Sequence, residues 1–241
     1  MKISIVIPLF NEEKRFRVFF PKLYNFAQRA FKPGQFEFIC VNDGSKDKTK
    51  TIVNKFKKTY PEIQLFNLKH NKGKGCALRY GVKQAQAELI FFTDIDLSAD
   101  IAMILNLVEH IEKDAEIAIA SRRLPKSNIA LHQNFMRESL GKAYTQISKK
   151  LLGLPYVDIT CGLKGGKNKA MKKIFSRMQI DRWSFDSELL FIARKHGMKV
   201  TEQPVTWINN NQSKVNLLLD SYRSLKEILQ IRLNDVRGKY D

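Results

Sequence analysis

The chain has 241 residues, of which 44% are apolar and 27% charged, a balance that supports a sizeable core and excludes a disordered protein. A formal net charge of +18 implies an anionic partner; nucleic acid, an acidic membrane surface and a phosphorylated substrate all fit, and composition does not choose among them. No apolar run reaches the length of a membrane span, and Met1-Lys2-Ile3-Ser4 meets charge too early for a signal peptide; Cys40, Cys76 and Cys161 lack metal-like spacing, so a cytosolic protein with reduced thiols is expected.

In chain order, Lys2 to Leu9 is an apolar strand that breaks into a loop at Pro8. Asn11-Glu12-Glu13 opens a helix, with Asn11 able to cap it and the acids suited to its first turn. Phe16, Phe19, Phe20, Leu23, Phe26 and Ala30 follow at helical spacing as core residues, and Pro33-Gly34 ends the pattern. Phe36 to Val41 is a second strand leading into Asn42-Asp43-Gly44-Ser45; Lys46 to Tyr60 is a polar helix and Ile63 to Leu68 a third strand. The glycines of Asn71-Lys72-Gly73-Lys74-Gly75 match neither phosphate-loop nor dinucleotide spacing and serve a tight turn before a helix that runs through Ala85. Leu89 to Phe92, a helix over Ile101 to Ile111 and a strand over Glu116 to Ala120 continue the alternation. The pattern predicts an α/β fold with a mainly parallel sheet covered on both faces, where ligands collect at the strand ends.

The fourth strand ends in Asp94-Ile95-Asp96. In extended backbone alternate residues share a face, so both carboxylates can point to one side and suit Mg²⁺ or Mn²⁺ together with substrate phosphates; the other reading is a polar turn whose acids are solvated. Beyond Ser121-Arg122-Arg123 the chain turns basic, with eight lysines and one acid, Asp158, between Lys142 and Lys173. Leu140, Tyr144, Ile147 and Leu151 form one helical face, and Ala170, Met171, Ile174 and Phe175 another. Each either lies in a membrane interface or packs on the domain with its lysines solvated. Pro155 to Gly166 reads as a short strand and turn, Phe185 opens a helix, Lys199 to Ile208 is a strand with Trp207 as a core aromatic, and Lys214 to Val236 is a last amphipathic helix of mixed charge.

Four motifs, Val6-Ile7-Pro8-Leu9-Phe10-Asn11-Glu12, Val41-Asn42-Asp43-Gly44-Ser45, Asn71-Lys72-Gly73-Lys74-Gly75 and Asp94-Ile95-Asp96-Leu97, together resemble the family 2 glycosyltransferases, inverting nucleotide-sugar enzymes of GT-A fold. Ser121-Arg122, Asp158-Ile159-Thr160-Cys161-Gly162, Phe185-Asp186-Ser187-Glu188 and Pro204-Val205-Thr206-Trp207 with Ser213-Lys214 narrow the resemblance to the dolichyl- and polyprenyl-phosphate glucosyl- and mannosyltransferases. It covers residues 3 to about 214, implying a GT-A domain over 1–214 (a nucleotide-sugar half, 1–122, and an acceptor half, 123–214) followed by a C-terminal helix, 215–241.

By position, the resemblance implies Pro8, Asn11, Glu12, Asp43, Lys74 and Asp94 at the donor nucleotide, with Asp94 and Asp96 at a Mg²⁺ or Mn²⁺ ion. It implies catalytic roles for Asp96, Asp158 and Arg122, and contacts from Ser213 and Lys214 to the phosphates. Arg122, Arg137 and Lys164 are candidate cations for an acceptor phosphate, or else surface charges. Asn42 departs from the acid common in the family. The implied donor is a nucleotide-diphosphate sugar, UDP-glucose favoured, and the acceptor a polyprenyl phosphate at the cytoplasmic face of an anionic membrane. A saccharide acceptor would instead need a carboxylate base, for which Asp158, Asp186 and Glu188 are candidates. No nucleic acid is expected as a partner, since the positive charge is not interleaved with aromatics in any reader motif.

Overall fold

The computed structural model describes residues 2–131, 135–208 and 217–241, and of Phe135, Arg137 and residues 217–219 the backbone alone. Its elements run β1 (Ile3–Leu9), α1 (Glu13–Ala30), β2 (Phe36–Asp43), α2 (Thr49–Thr59), β3 (Ile63–Leu68), α3 (Lys74–Gln84), β4 (Leu89–Phe92), α4 (Met103–Lys113) and β5 (Ile117–Ser121). There follow β6 (Asn128–Leu131), α5 (Phe135–Leu152), β7 (Lys164–Lys167), α6 (Asn168–Arg177), α7 (Phe185–Lys195), β8 (Val200–Pro204), β9 (Thr206–Ile208) and α8 (Leu217–Val236). None of the described helices is long and apolar enough to cross a membrane.

Seven strands form one sheet in the order β3-β2-β1-β4-β7-β5-β8, while β6 and β9 pair in a separate ribbon. Neighbours in the large sheet are parallel except at β7, which runs against both β4 and β5. The alternation of β1 shows why its sequence is apolar throughout. Ile3, Ile5 and Ile7 face a core shared with α1, α2 and α4, and Val6 faces the core of α3, α6 and α7. The first core is built on aromatic contacts, with Phe16 stacked on Phe20 at 4.7 Å and Phe38 meeting Phe20 edge-on at 5.1 Å. In β7 the central position must be glycine, because a Cβ on Gly165 would sit 2.1 Å from the Phe91 ring.

The polarity of the strands gathers the site. The parallel strands β1, β2, β4 and β5 all exit at one edge of the sheet, delivering Phe10, Asp43, Asp94 and Arg122 there. Since β7 is reversed, its entrance lies on the same edge and brings the 158–163 loop alongside. The strand order reverses direction between β1 and β4, the switch point at which open α/β sheets place ligands.

Three local expectations are corrected, and one left open is decided. Asn11 does not cap α1: it stands at φ 53° and its Oδ1 accepts the Lys46 N–H at 2.8 Å, tying the first loop to the second. Lys199 to Ile208 is not one strand but two, because the chain leaves the large sheet after Pro204, whose ring has no N–H for a ladder, and joins β6. Helix α5 buries Thr145, Ser148 and Leu152, leaving Leu151 exposed and Tyr144 and Ile147 half-buried. Helix α6 buries Ala170, Met171, Ile174 and Phe175 in the core, so its apolar face is a packing face. The last helix is part of the same core: Ile228, Ile231 and the following Tyr240 are buried with α6 and α7.

Candidate active site

A cleft of about 680 Å³ opens at the exit edge, lined from the first half by Pro8, Phe10, Glu12, Asp43, Lys74, Asp94 and Asp96. Arg122 stands at the boundary, the second half adds Arg123, Tyr144, Thr160, Gly162, Arg182, Trp183, Asp186 and Trp207, and α8 contributes Ser221, Ser224 and Leu225.

Two loops fix the donor side. The Glu12 N–H donates to Thr49 Oγ1 at 2.7 Å and the Asn11 N–H to Ser45 Oγ at 2.9 Å, so the turns after β1 and β2 are laced together. Asn11 therefore braces the loop and does not line the cleft. Asp43 is buried and accepts the N–H groups of Lys72 and Gly73 and the Asn71 amide, each at 2.8 Å, pinning the glycine-rich turn against its strand end. Burial pushes the Asp43 carboxyl up, and those donors oppose the shift. Gly73, at φ 115°, makes the turn as its residue type suggests, and a Cβ there would strike the Asp181 carbonyl. Asn42 also has a structural account. It donates to Asn67 Oδ1 at 2.9 Å and accepts the Ser45 N–H at 3.1 Å, a pair of roles an ionised acid could not fill.

The two carboxylates sit in a turn beyond β4, in which the Leu97 N–H donates to the Asp94 carbonyl; they do not lie on extended backbone. They are close enough to interact all the same. Burial raises the Asp96 carboxyl above its ordinary value and the Asp94 charge raises it further, against the Ser98 N–H and Arg15. Lys74 Nζ lies 2.6 Å from Asp94 Oδ1. Burial works against the Lys74 charge, and Asp94, Asp186 and Asp96 more than restore it, so this lysine stays cationic. Gly162 leaves space for Asp94, since a Cβ there would lie 2.5 Å from its Oδ2. Gly162→Ala is accordingly expected to displace this carboxylate and lower turnover by at least about tenfold, with an unchanged far-ultraviolet spectrum; wild-type turnover would contradict the placement.

Behind Arg122 stands a buried support. Its Nε and one Nη donate to the two Asp158 oxygens at 2.7 and 2.8 Å, and the same Nη donates to Thr160 Oγ1 at 2.8 Å. The guanidinium also lies 5.7 Å from the centre of the Trp207 ring, which is buried as expected of a core aromatic. Burial alone would raise the Asp158 carboxyl, but Arg122 holds it well below the carboxylate range. Glu202 in turn accepts the N–H groups of Val157 and Asp158 and fixes that loop.

Asp158 and Lys164 were expected at the reacting centre and the acceptor phosphate. Both side chains are instead 0% exposed and outside the cleft lining. Lys164 Nζ bonds Asp186 Oδ1 at 2.5 Å and the Cys161 carbonyl. Its ion pair spans 22 residues of sequence, which is why no local pattern revealed it. The Arg137 side chain, Ser213 and Lys214 lie outside the described residues. Arg123, Arg182 and Trp183 line the cleft and were missed. Arg123 directly follows Arg122 at the β5 exit, and the Arg182-Trp183 pair precedes a helix N-terminus, signals that sequence could have offered.

This sheet, with its cleft at the switch point, is the GT-A form of the α/β nucleotide-binding architecture, and solved glycosyltransferases share it. S. aureus TarS in complex with UDP-GlcNAc matches with a TM-score of 0.63 at 18% identity, over 97% of this chain and 67% of that one. Glucosyl-3-phosphoglycerate synthase from Mycobacterium tuberculosis, in complex with Mn²⁺, UDP and glucosyl-3-phosphoglycerate, matches at 0.65 and 12% identity, over 97% and 79%. The chain belongs to glycosyl transferase family 2, whose profile matches residues 4–175. Similar relatives include a dolichyl-phosphate beta-glucosyltransferase of Trichomonas vaginalis, 34% identical over 89% of this chain and 68% of its own length. The human dolichyl-phosphate beta-glucosyltransferase is 30% identical over 99% of this chain and 77% of its own length.

Proposed function

We propose that this glycosyltransferase moves glucose from UDP-glucose to a dolichyl or other polyprenyl phosphate, with inversion, at the cytoplasmic face of a membrane. The names of the similar relatives and the UDP compounds in the related structures support the reading. The observation that carries it is the state of the three carboxylates considered as bases for a hydroxyl acceptor. Asp158 is closed by Arg122 and Asp186 by Lys164, while Glu188 accepts the Gln179 and Ile180 N–H groups and the Tyr240 hydroxyl. A phosphate acceptor needs no base, because its oxygen is already anionic near neutral pH.

On this reading residues 1–122 hold the donor, with Pro8, Glu12, Asp43 and Lys74 around the nucleotide, and the second half presents the acceptor. Asp94 and Asp96 fit a divalent cation. They are two hard oxygen donors, the Asp94 charge adding to the burial that raises the Asp96 carboxyl, and no third described His, Cys, Asp or Glu makes a closed cluster with them, which leaves room for substrate phosphates. Mg²⁺ or Mn²⁺ held there would neutralise the leaving diphosphate as a Lewis acid. The chain's own residues do the rest. Arg122, locked in place by Asp158 and Thr160, offers its remaining N–H groups to the acceptor phosphate. One phosphate oxygen then bonds the anomeric carbon from the face opposite UDP, the carbon–oxygen bond to UDP breaks, and the electron pair leaves on its β-phosphate; no proton moves. Alignment supplies most of the rate.

The test is UDP or GDP release from a panel of nucleotide sugars with Mn²⁺, with and without a short polyprenyl phosphate. Release from UDP-glucose that appears only with the lipid supports the reading. Donor binding with no response to the lipid would overturn the acceptor assignment.

A further inference from the structure

Helix α8 has two apolar sides. It buries Ser224, Ile228, Ile231 and Asn234 against the domain. At about 100° per residue, Tyr222, Leu225, Leu229, Leu233 and Val236 fall on the opposite side, and all are exposed: Tyr222 by 56%, Leu229 by 58% and Val236 by 83%. Single exposed leucines are ordinary, but a continuous stripe along a helix roughly 30 Å long marks a surface that something covers. From this face we propose that α8 seats the protein on an anionic lipid bilayer, its outward stripe entering the headgroup boundary.

Charge selects the occupant. Exposed cations border the stripe, Arg223, Lys226 and Arg237 along one flank and Arg232 along the other, with Lys226 Nζ 4.7 Å from the centre of the Tyr222 ring. The helix's carboxylates lie away from the stripe: Glu227 accepts the Ser184 N–H, Asp235 pairs with Lys195 and lies within 3.5 Å of Arg232, and Asp220 lies within 3.7 Å of Arg223, so two of the bordering arginines have intrahelical partners. An apolar stripe edged by cations is the arrangement that binds acidic lipid surfaces. A second copy of the chain fits less well, because each carries a net charge of +18 and would repel the other. Position agrees: Leu225 of the stripe, with Ser221 and Ser224, lines the cleft. If the acceptor is a lipid phosphate, as proposed above, its apolar chain leaves the cleft beside the surface that meets the bilayer. Of the two basic helices for which sequence left a membrane interface open, α6 has its apolar side in the core.

The test is co-sedimentation of the full chain with phosphatidylcholine vesicles, with and without phosphatidylserine, in the absence of donor and acceptor. The parent is expected to sediment with the phosphatidylserine vesicles. Leu229→Ser/Leu233→Ser/Val236→Ser should bind at least about tenfold more weakly while keeping the parent's UDP affinity and melting temperature. Arg223→Glu/Lys226→Glu should lose the preference for the acidic vesicles. A parent that stays in the supernatant, or a triple variant that sediments with it equally, overturns the proposal. So does a lipid-free parent that is a dimer by sedimentation equilibrium and becomes a monomer in the triple variant, which would give the stripe to a second copy. Because no acceptor is present, a failure of the lipid-phosphate reading leaves these results unchanged and is seen separately in the turnover assay.

Discussion

Asp96→Asn is expected to lower turnover by about three orders of magnitude, the scale on which a group stabilising developing charge acts. The fold should not suffer. In the folded chain the Asp96 carboxyl is raised by burial and by the Asp94 charge. A carboxyl raised in this way costs stability above its ordinary value, and that cost is relieved as the pH falls through the folded value. The neutral amide removes the cost at pH 7, so the variant's melting temperature in metal-free buffer should equal or exceed the parent's. Unchanged turnover would remove Asp96 from the chemistry, and a large loss of melting temperature would make it a structural residue.

Arg122→Ala should have the opposite signature, a loss of stability together with activity. Asp158 is fully buried, and without Arg122 its charge has lost its bidentate partner. Breaking one side of a buried pair costs about 3–5 kcal/mol, or roughly 10 °C in melting temperature for a chain of this length. Arg122→Ala/Asp158→Asn should recover much of the stability and none of the activity. The pH dependence has a definite sign. The folded Asp158 carboxyl is depressed, so its contribution is present above about pH 4, its ordinary value, and is lost as pH falls toward the folded value. The stability gap between parent and Arg122→Ala should therefore narrow in acid. A gap independent of pH, measured by denaturant unfolding, would contradict the pairing.

The first half of the fold was legible because its signals are local. Apolar runs of four to eight residues alternate with helical spacing, and Asn-Asp-Gly and Gly-x-Gly punctuation stands at the strand ends. The positions of Asp43, Lys74, Asp94 and Asp96 were readable for the same reason, since each stands at the last residue of a strand, just beyond one, or at the first residue of a helix. The second half depends on distant partners. Burial of Thr145 and Ser148 in place of Leu151 is possible because Thr145 donates to the Gly141 carbonyl and Ser148 meets Ser187 from α7, 39 residues away. The burial of Asp158 and Lys164 likewise rests on Arg122 and Asp186, and periodicity contains no trace of either pairing. On α8 the period was visible, but which of its apolar sides faced the core was decided only by packing.

The most direct measurement compares UDP release from UDP-glucose with a short polyprenyl phosphate and with the polyprenol of the same chain as acceptors, at equal concentration with Mn²⁺. The account predicts turnover with the phosphate and at least about a thousandfold less with the alcohol, because Asp158, Asp186 and Glu188, the carboxylates considered as bases for a hydroxyl, are each held by hydrogen-bonded partners. Comparable turnover with the alcohol would contradict it, and would mean that one of the closed carboxylates opens during the reaction.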